Sequence, residues 1–233
     1  MSTWRGFQGL VLGICLHLLT YVSPAIAQQQ TSAADARLLI SCRGGPSLGR
    51  VASDVAGEKD YRLAFEAGLS ATYRLSRRYS VDLGVEYLSR GGVERYDKYS
   101  SNGNLIGEIE DTWEINYIGL PICARYMLSL QSLRPYLLLG AEPGFLLDAT
   151  MERKVPVTVE YSRNPRRYDS TDLFRSFSLG IRVGGGLMMS LGSLAVSAEA
   201  CYIHGVLAIF DDTHLKIHAI TVCVGVGIPL LRS

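Results

Sequence analysis

The stretch FSLGIRVGGGLMMSLGSLAVSAEACYIHG, residues 177–205, decides the fold of this chain. It is apolar enough to enter a membrane, but Arg182 and Glu199 lie within it and glycine recurs throughout. Three structures compete for such a segment: a broken transmembrane helix, a glycine-rich phosphate loop and a pair of β-strands. The periodicity of the side chains separates them.

Side chains alternate along this stretch with a period of two. Residues 177–191 have one apolar face and one face of serine, glycine, Arg182 and Met188. Residues 194–202 repeat the alternation, with Ser197 and Glu199 on the polar face. A period of two predicts strands, whereas a helix repeats every 3.6 residues. We therefore predict a hairpin with a tight turn near Gly192.

The three consecutive glycines in this stretch do not form a phosphate loop. No lysine follows residues 184–186, and no transition from strand to helix is indicated. In a strand, small residues at these positions leave room in the wall for larger side chains nearby.

The same alternation recurs along the chain, clearly in residues 61–76, 79–87 and 218–230 and less regularly in 38–48, 113–126 and 134–148. In residues 113–126 the apolar face changes phase, which predicts a bulge near Tyr117 to Pro121. The eight strands are joined alternately by long loops and short turns. This pattern predicts an all-β fold, an eight-stranded antiparallel up-and-down transmembrane β-barrel.

Aromatic residues support the barrel independently of loop length. On an up-and-down path they fall into two belts, as expected for amphipathic rings at two membrane interfaces. The belt at the long-loop end comprises Tyr61, Tyr87, Trp113, Phe145, Phe177 and Tyr202, and the belt at the short-turn end comprises Tyr73, Tyr79 and Tyr126.

The polar faces of the strands predict a charged interior. Eight strands leave a lumen that side chains can fill, and buried charges need partners of opposite sign. The predicted lumen network comprises Arg62, Glu66, Arg74, Asp82, Glu86, Arg125, Glu142, Arg182 and Glu199. A plug of salt bridges is the favoured interpretation, and a proton or ion pathway is the alternative.

The N-terminus predicts export. Residues 1–27 combine Arg5, a short apolar core and an Ala25-Ile26-Ala27 cleavage pattern, as in a signal peptide. Residues 28–37 form a short N-terminal segment, and residues 38–233 form the barrel domain. The 23 basic and 22 acidic residues give a net charge of +1, which indicates no nucleic-acid partner. Four scattered cysteines remain after cleavage, and we expect small buried thiols.

Two strands carry a family resemblance. INYIGLPICARYML and the following LRPYLLLGAEPGFLLDA resemble the PorT-like outer-membrane β-barrel family. The matching residues are Tyr117, Ile118, Leu120, Pro121, Arg125, Tyr126, Pro135, Tyr136, Gly140, Gly144 and Phe145. Gly119 departs from the acidic residue common in the family, and the chain end lacks the terminal aromatic that many such barrels use for assembly. The resemblance implies an integral barrel of the bacterial outer membrane. It supplies no catalytic residues, because the family is defined by its fold.

The sequence predicts no catalytic residue, cofactor or metal site, and it favours a barrel that presents extracellular loops for binding or envelope integrity. One alternative is a rim hydrolase that acts on lipids or peptides through His204, Asp211, Asp212 or His214. The other is a soluble lipocalin-like barrel with inverted faces, with Leu83, Val85, Leu179 and Ile181 inside and Arg182 outside.

The expected partners are outer-membrane lipids and the barrel assembly machinery. The loop of residues 149–175 carries basic side chains that could contact lipopolysaccharide phosphates, although its mixed signs also fit an ordinary charged loop. The basic residues include Arg153, Lys154, Arg163, Arg166 and Arg167, and the acidic ones are Glu152, Glu160, Asp169 and Asp172.

Overall fold

The computed structural model describes residues 36–52, 58–130, 132–155, 166–208 and 215–231. These residues form strands joined by turns and one short 3₁₀ helix, Thr171–Leu173. None of them belongs to a helix long and apolar enough to cross a membrane. The strands are β1 Leu38–Ala52, β2 Glu58–Asp60, β3 Arg62–Arg74, β4 Tyr79–Tyr99, β5 Leu105–Gly119, β6 Ile122–Met127, β7 Leu133–Lys154, β8 Arg166–Asp169, β9 Phe177–Leu191, β10 Leu194–Gly205 and β11 Lys216–Leu231.

Within the described residues, the strands close into a ring with eight strand positions. Each position is named here a wall and consists of one strand or of two strands in line. β2 and β3 together form the second wall, and β5 and β6 together form the fourth. Each wall pairs antiparallel with the next along the chain, and β1 pairs with β11 to close the ring. The predicted eight-stranded up-and-down barrel is confirmed.

Connections differ in length at the two ends of the barrel. β9 and β10 are joined by Gly192 and Ser193, and Gly192 has a φ of 61°. A positive φ at the first central position suits the type II′ hairpin turn, for which glycine is preferred. At the opposite end β4 and β7 run for 21 and 22 residues, well past the ends of β3 and β9. Their upper parts, together with β2, the upper part of β5 and β8, form what is named here the extended sheet.

The two faces of the wall have opposite character. Ile181 is 46% exposed on the outside, whereas its neighbour Arg182 is 1% exposed inside. Leu83 and Val85 are also exposed outside. A soluble lipocalin-like barrel would require the reverse arrangement, so that alternative is wrong. An apolar outer surface around a polar interior is the arrangement of a membrane barrel.

The predicted change of phase in the fourth wall is wrong. Ile115 and Tyr117 are 0% and 2% exposed and point into the barrel, on the same face as Cys123 and Arg125. From Tyr79 to Lys98 the register of β4 against β6 and β5 is continuous, and a one-residue shift near Tyr117 lies instead in β7, at Leu147. Apolar side chains point inward here because the mouth of the barrel is filled by an apolar layer.

A break still separates β5 from β6 at the predicted place. Pro121 has no amide hydrogen to donate to a sheet. The flanking groups are satisfied by single hydrogen bonds, because the Leu120 amide donates to the Pro143 carbonyl and the Gly84 amide donates to the Pro121 carbonyl.

Candidate functional site: an ion-paired lumen

The lumen is filled in three layers. Apolar residues that include Leu39, Met127 and Met188 are buried toward the short-turn end. A second apolar layer closes the long-loop end and contains Leu88, Ile115, Tyr117, Ala149 and Phe174. Charged side chains occupy the space between these layers. Ions in such a setting are held away from bulk water, so each depends on its protein partners.

Two arginines hold the upper part of the charged layer. Arg182 lies 2.7 Å from Glu66 and 3.1 Å from Glu86, measured between the side-chain nitrogens and the carboxylate oxygens. Arg90 lies 3.0 Å from Glu66 and 3.1 Å from Glu142. Arg182 also lies 3.5 Å from Glu142, so both cations share two carboxylates. This sharing links four walls of the barrel.

Two further arginines hold the lower part. Arg43 pairs with Glu86 and lies 3.1 Å from Asp82. Arg125 lies 2.9 Å from Asp82 and 3.3 Å from Glu199. Glu86 therefore bridges the two parts, because it contacts both Arg43 and Arg182. The nine side chains form one connected network.

Neutral groups complete the network. The Tyr136 hydroxyl donates to Glu199 at 2.9 Å, and its ring lies under the Arg125 guanidinium at 5.0 Å. Thr72 donates to Asp82 at 2.7 Å, and the Cys223 thiol donates to Glu66 at 3.0 Å. Every wall of the ring contributes, through Arg43, Glu66, Asp82, Arg125, Glu142, Arg182, Glu199 and Cys223 in order.

The structure places the predicted lumen residues in two groups. Seven of them lie within the network: Glu66, Asp82, Glu86, Arg125, Glu142, Arg182 and Glu199. Arg62 lies above it, with a nitrogen 3.1 Å from Glu114, and Arg74 is partly buried near the short-turn end. Among the contacts described, Arg62 makes no ion pair with these seven residues.

Sequence reasoning missed Arg43 and Arg90. Both continue the inward alternation of their strands, Arg43 after Leu39 and Ser41, and Arg90 after Glu86 and Leu88. Arg43 lies within the predicted strand 38–48, and assigning its faces would have found it. Arg90 lies three residues beyond the predicted strand 79–87. Arg90 was hidden because β4 continues beyond the residue where the apolar face ends.

The space left in the lumen is small. The cavities described there and at its short-turn end have volumes of about 40, 20 and 10 Å³. The largest is lined by residues that include Arg90, Tyr117 and Glu142. A cavity of this size holds a few water molecules at most, whereas small-molecule sites usually measure about 300–1,000 Å³.

The aromatic residues lie at two levels on the outer face, with one exception. At the short-turn end, the Tyr79 and Tyr126 rings lie 5.0 Å apart and Tyr73 accepts a hydrogen bond from Arg37. At the long-loop end, Phe145 packs on Phe177 at 5.5 Å. Tyr61, Tyr87 and Tyr202 lie at this same end.

Trp113 does not lie on the outer face. It belongs to the inward phase of β5 and packs edge to face on Phe174, at 5.7 Å between ring centres. Its prediction as a member of the aromatic belt was wrong for the same reason as the prediction for Ile115, because both side chains were expected on the outer face. The ring serves to cover the apolar layer at the mouth.

Only part of the predicted cluster of rim residues lies within the described residues. His204 is exposed on the outer face of β10, where its ring lies 4.6 Å from that of His218. Asp211, Asp212 and His214 lie outside the described residues. Among residues that are described, no group of three or more His, Cys, Asp or Glu side chains could hold a metal ion. Cys42, Cys123, Cys201 and Cys223 are free thiols.

Basic residues of the 149–175 loop face acids in the extended sheet. Arg153 lies 2.7 Å from Asp111, Lys154 lies 2.7 Å from Glu110, and Arg167 lies 3.9 Å from Glu114. Hydrogen bonds lower the pKa of Glu110 below its usual range, and the one from Lys154 has a larger effect than the one from Arg95. These contacts offset the positive charge of this segment. Arg163 lies outside the described residues.

The match to a protein family covers most of the chain. Residues 26–211 match the family described as outer membrane protein beta-barrel domain. The chain belongs to this family. Its barrel, with an apolar outer surface, lies in the bacterial outer membrane. No curated protein matches the chain.

Solved barrels resemble it at low identity. Neisserial surface protein A is 14% identical, with a TM-score of 0.43, over 84% of this chain and 98% of the other. The attachment invasion locus protein Ail of Yersinia pestis is 14% identical, with a TM-score of 0.41, over 82% and 98%. The outer membrane enzyme PagL is 13% identical, with a TM-score of 0.31, over 79% and 99%. At such identities the likeness concerns the fold alone.

Proposed function

We propose that this protein is a non-conducting and non-enzymatic outer-membrane barrel, which acts through the surface at its long-loop end in binding and in envelope integrity. The observation that carries the proposal is the filled lumen. Among the described residues, nine interlocked charged side chains between two apolar layers fill the lumen, which supports a barrel that conducts no solute. With the interior occupied, the exposed segments at the rim are what remains for recognition.

The extended sheet supports a binding role. Arg95 pairs with Asp60 and lies 2.9 Å from Glu110, so β2, β4 and β5 are tied together beyond the barrel. The hairpin between β4 and β5 ends in Tyr99 and Leu105, each 60% exposed. A surface that is ordered before binding loses less conformational entropy when a partner arrives.

Several finer assignments accompany this proposal. The matching strand pattern favours the PorT-like branch of the family, and the N-terminal pattern favours export by a signal peptide. Insertion by the barrel assembly machinery and contact with outer-membrane lipids follow from the location. The long-loop end faces outward, and no cofactor or metal takes part.

Two measurements test the proposal. In planar lipid bilayers the purified barrel should give no stepwise conductance, and regular channel steps would overturn the closed lumen. In cells that lack the protein, a variant in which Asn-Gly joins Asp97 directly to Glu108 shortens the hairpin. Those two residues are partners across β4 and β5, so a two-residue turn fits between them.

The shortened variant should fold but fail to restore envelope integrity, measured as resistance to detergent and to large antibiotics. The full-length chain should restore it. Restoration by the shortened variant to the full-length level would contradict a role for the tip of this hairpin, which carries Tyr99 and Leu105. Heat-modifiable migration in gels checks that each variant has formed a barrel.

A further inference from the structure

We propose that a row of outward-facing basic side chains binds the phosphate group of an anionic lipid in the leaflet at the long-loop end. The row consists of Arg50 on β1, His218 on β11 and His204 on β10, and it is named here the basic row. This leaflet is the outer one in the orientation proposed above. The row lies on other walls than the main part of the extended sheet, so the two proposals can fail separately.

The three side chains are neighbours on adjacent strands. Arg50 is the register partner of His218 across β1 and β11, and His218 is the partner of His204 across β11 and β10. The two imidazole rings lie 4.6 Å apart. Partners on the same face of a sheet are close enough to act on one group.

The row lies directly above the apolar band. On each strand, the outward position two residues nearer the short-turn end is apolar or aromatic. These residues are Leu48 below Arg50, Ile220 below His218 and Tyr202 below His204, and they are 41%, 44% and 41% exposed. Ile220 and Tyr202 are themselves register partners. The basic row is thus the first polar level on three consecutive walls, at the height where aromatic belts meet the lipid headgroups.

Within the described strands of these walls, no outward-facing acidic side chain lies beside the row. β1 and β11 contain no Asp or Glu. The only acid of β10, Glu199, faces the lumen and pairs there with Arg125. Lys216 lies two residues before His218 and adds another basic group. In the extended sheet, by contrast, the described ion pairs bring basic residues onto acids.

The side chains of the row suit a phosphate group. The Arg50 guanidinium and the N–H groups of the imidazoles are hydrogen-bond donors, and hydrogen bonds to an ionised oxygen are short and strong. Arg50 and His204 are exposed on the outer face, where a lipid can contact them. A divalent cation is disfavoured because Arg50 and Lys216 flank the imidazoles.

Aromatic rings position the row. Tyr202 stacks on His218 at 6.2 Å between ring centres with an angle of 16°, and the Arg50 guanidinium lies 5.7 Å over the Tyr61 ring. Both tyrosines are exposed to the lipid side. The ligand is therefore expected to place its acyl chains on the apolar band and its phosphate against the row.

Lipid retention by the full-length chain tests this site. The probe is lipid A that carries two phosphates, and native mass spectrometry from detergent measures how much of it stays bound. The variant Arg50→Gln/His218→Gln should retain about tenfold less of the lipid than the unmodified chain. His204→Gln alone should show a smaller loss. Arg78→Gln, which removes a charge at the opposite end near Tyr126, is the control and should retain as much as the unmodified chain.

Two further arms identify the ligand. Lipid A from which the phosphates have been removed should bind weakly and equally to all variants. Inorganic phosphate at the same concentration should not displace the phosphorylated lipid. The proposal is overturned if the double variant and His204→Gln retain as much lipid as the control, if the dephosphorylated lipid binds equally well, or if free phosphate displaces the lipid.

Discussion

Arg182 and Glu66 are 116 positions apart in the chain, yet Nη2 of the arginine lies 2.7 Å from Oε1 of the glutamate. The contact spans the lumen from the sixth wall to the second. Both side chains are almost completely buried. The pair therefore depends on closure of the ring, and closure in turn brings all nine charged groups together.

Replacement of Arg182 by methionine should strongly destabilise the barrel. The change leaves Glu66, Glu86 and Glu142 without one shared cation, and breaking a buried ion pair costs about 3–5 kcal/mol. Urea unfolding in detergent micelles measures the free energy of unfolding. Arg95→Met is a matched control, because Arg95 also faces three acids but does so near the surface. Equal unfolding midpoints for the two variants would contradict the importance of the network.

An arginine in place of Val183 should show that the outer face meets lipid. Val183 lies midway along β9 and is 46% exposed on the outer face. A charge at the middle of the membrane destabilises a barrel by about 2–4 kcal/mol, and near an interface the cost falls to about 0–1 kcal/mol. Leu191→Arg, at the short-turn end of the same strand, is the control. Unfolding from lipid vesicles compares the two, and a smaller effect for Val183→Arg would place the membrane elsewhere.

Gly91 should tolerate no side chain. Its φ is 142°, and a Cβ atom there would lie 2.0 Å from the Trp113 carbonyl oxygen. Gly91→Ala combines backbone strain with a clash, so we expect a large loss of stability. Gly103 has a φ of 79° with no atom within 4 Å of such a Cβ. Gly103→Ala should cost only the backbone term, about 1 kcal/mol. Similar urea midpoints for both would show that β4 can shift to accept the methyl group.

Acid should loosen the extended sheet. The pKa of Glu110 is lowered from 4.5 by hydrogen bonds from Lys154 and Arg95. A group with a lowered folded pKa stabilises the folded state above its ordinary pKa, and this contribution is lost as the pH falls through the folded value. NMR of backbone amides in residues 105–111 should therefore change below about pH 4.5. An identical titration in Glu110→Gln would rule out this carboxylate as the cause.

How far the sequence predicts the charged layer depends on local patterning. Alternation in β9 and β10 is sufficient to predict that Arg182 and Glu199 lie on the inner face, because side chains of a strand point alternately to its two faces. Alternation does not say which acid each arginine contacts. Which side chains meet depends on the register between neighbouring strands, and all eight registers are set together when the ring closes.

The phase of the fourth wall is where sequence reasoning failed. Ile115, Tyr117 and Trp113 are apolar, and on a membrane barrel apolar residues are expected outside. They point inward because Phe174 and Leu88, distant in the chain, create an apolar layer at the mouth. Local periodicity contains no information on what lies across a lumen.

The sequence by itself determined the alternating strands, the short turns at one end and the apolar outer face, since each depends on residues close together in the chain. Only the tertiary structure decided which ion pairs form and that Arg43 and Arg90 take part in them. It also decided that Arg50, His218 and His204 lie side by side. These depend on the register between strands, which brings distant residues to one height. The physical reason is that closure of the ring sets all registers at once, whereas alternation sets only the face on which each side chain lies.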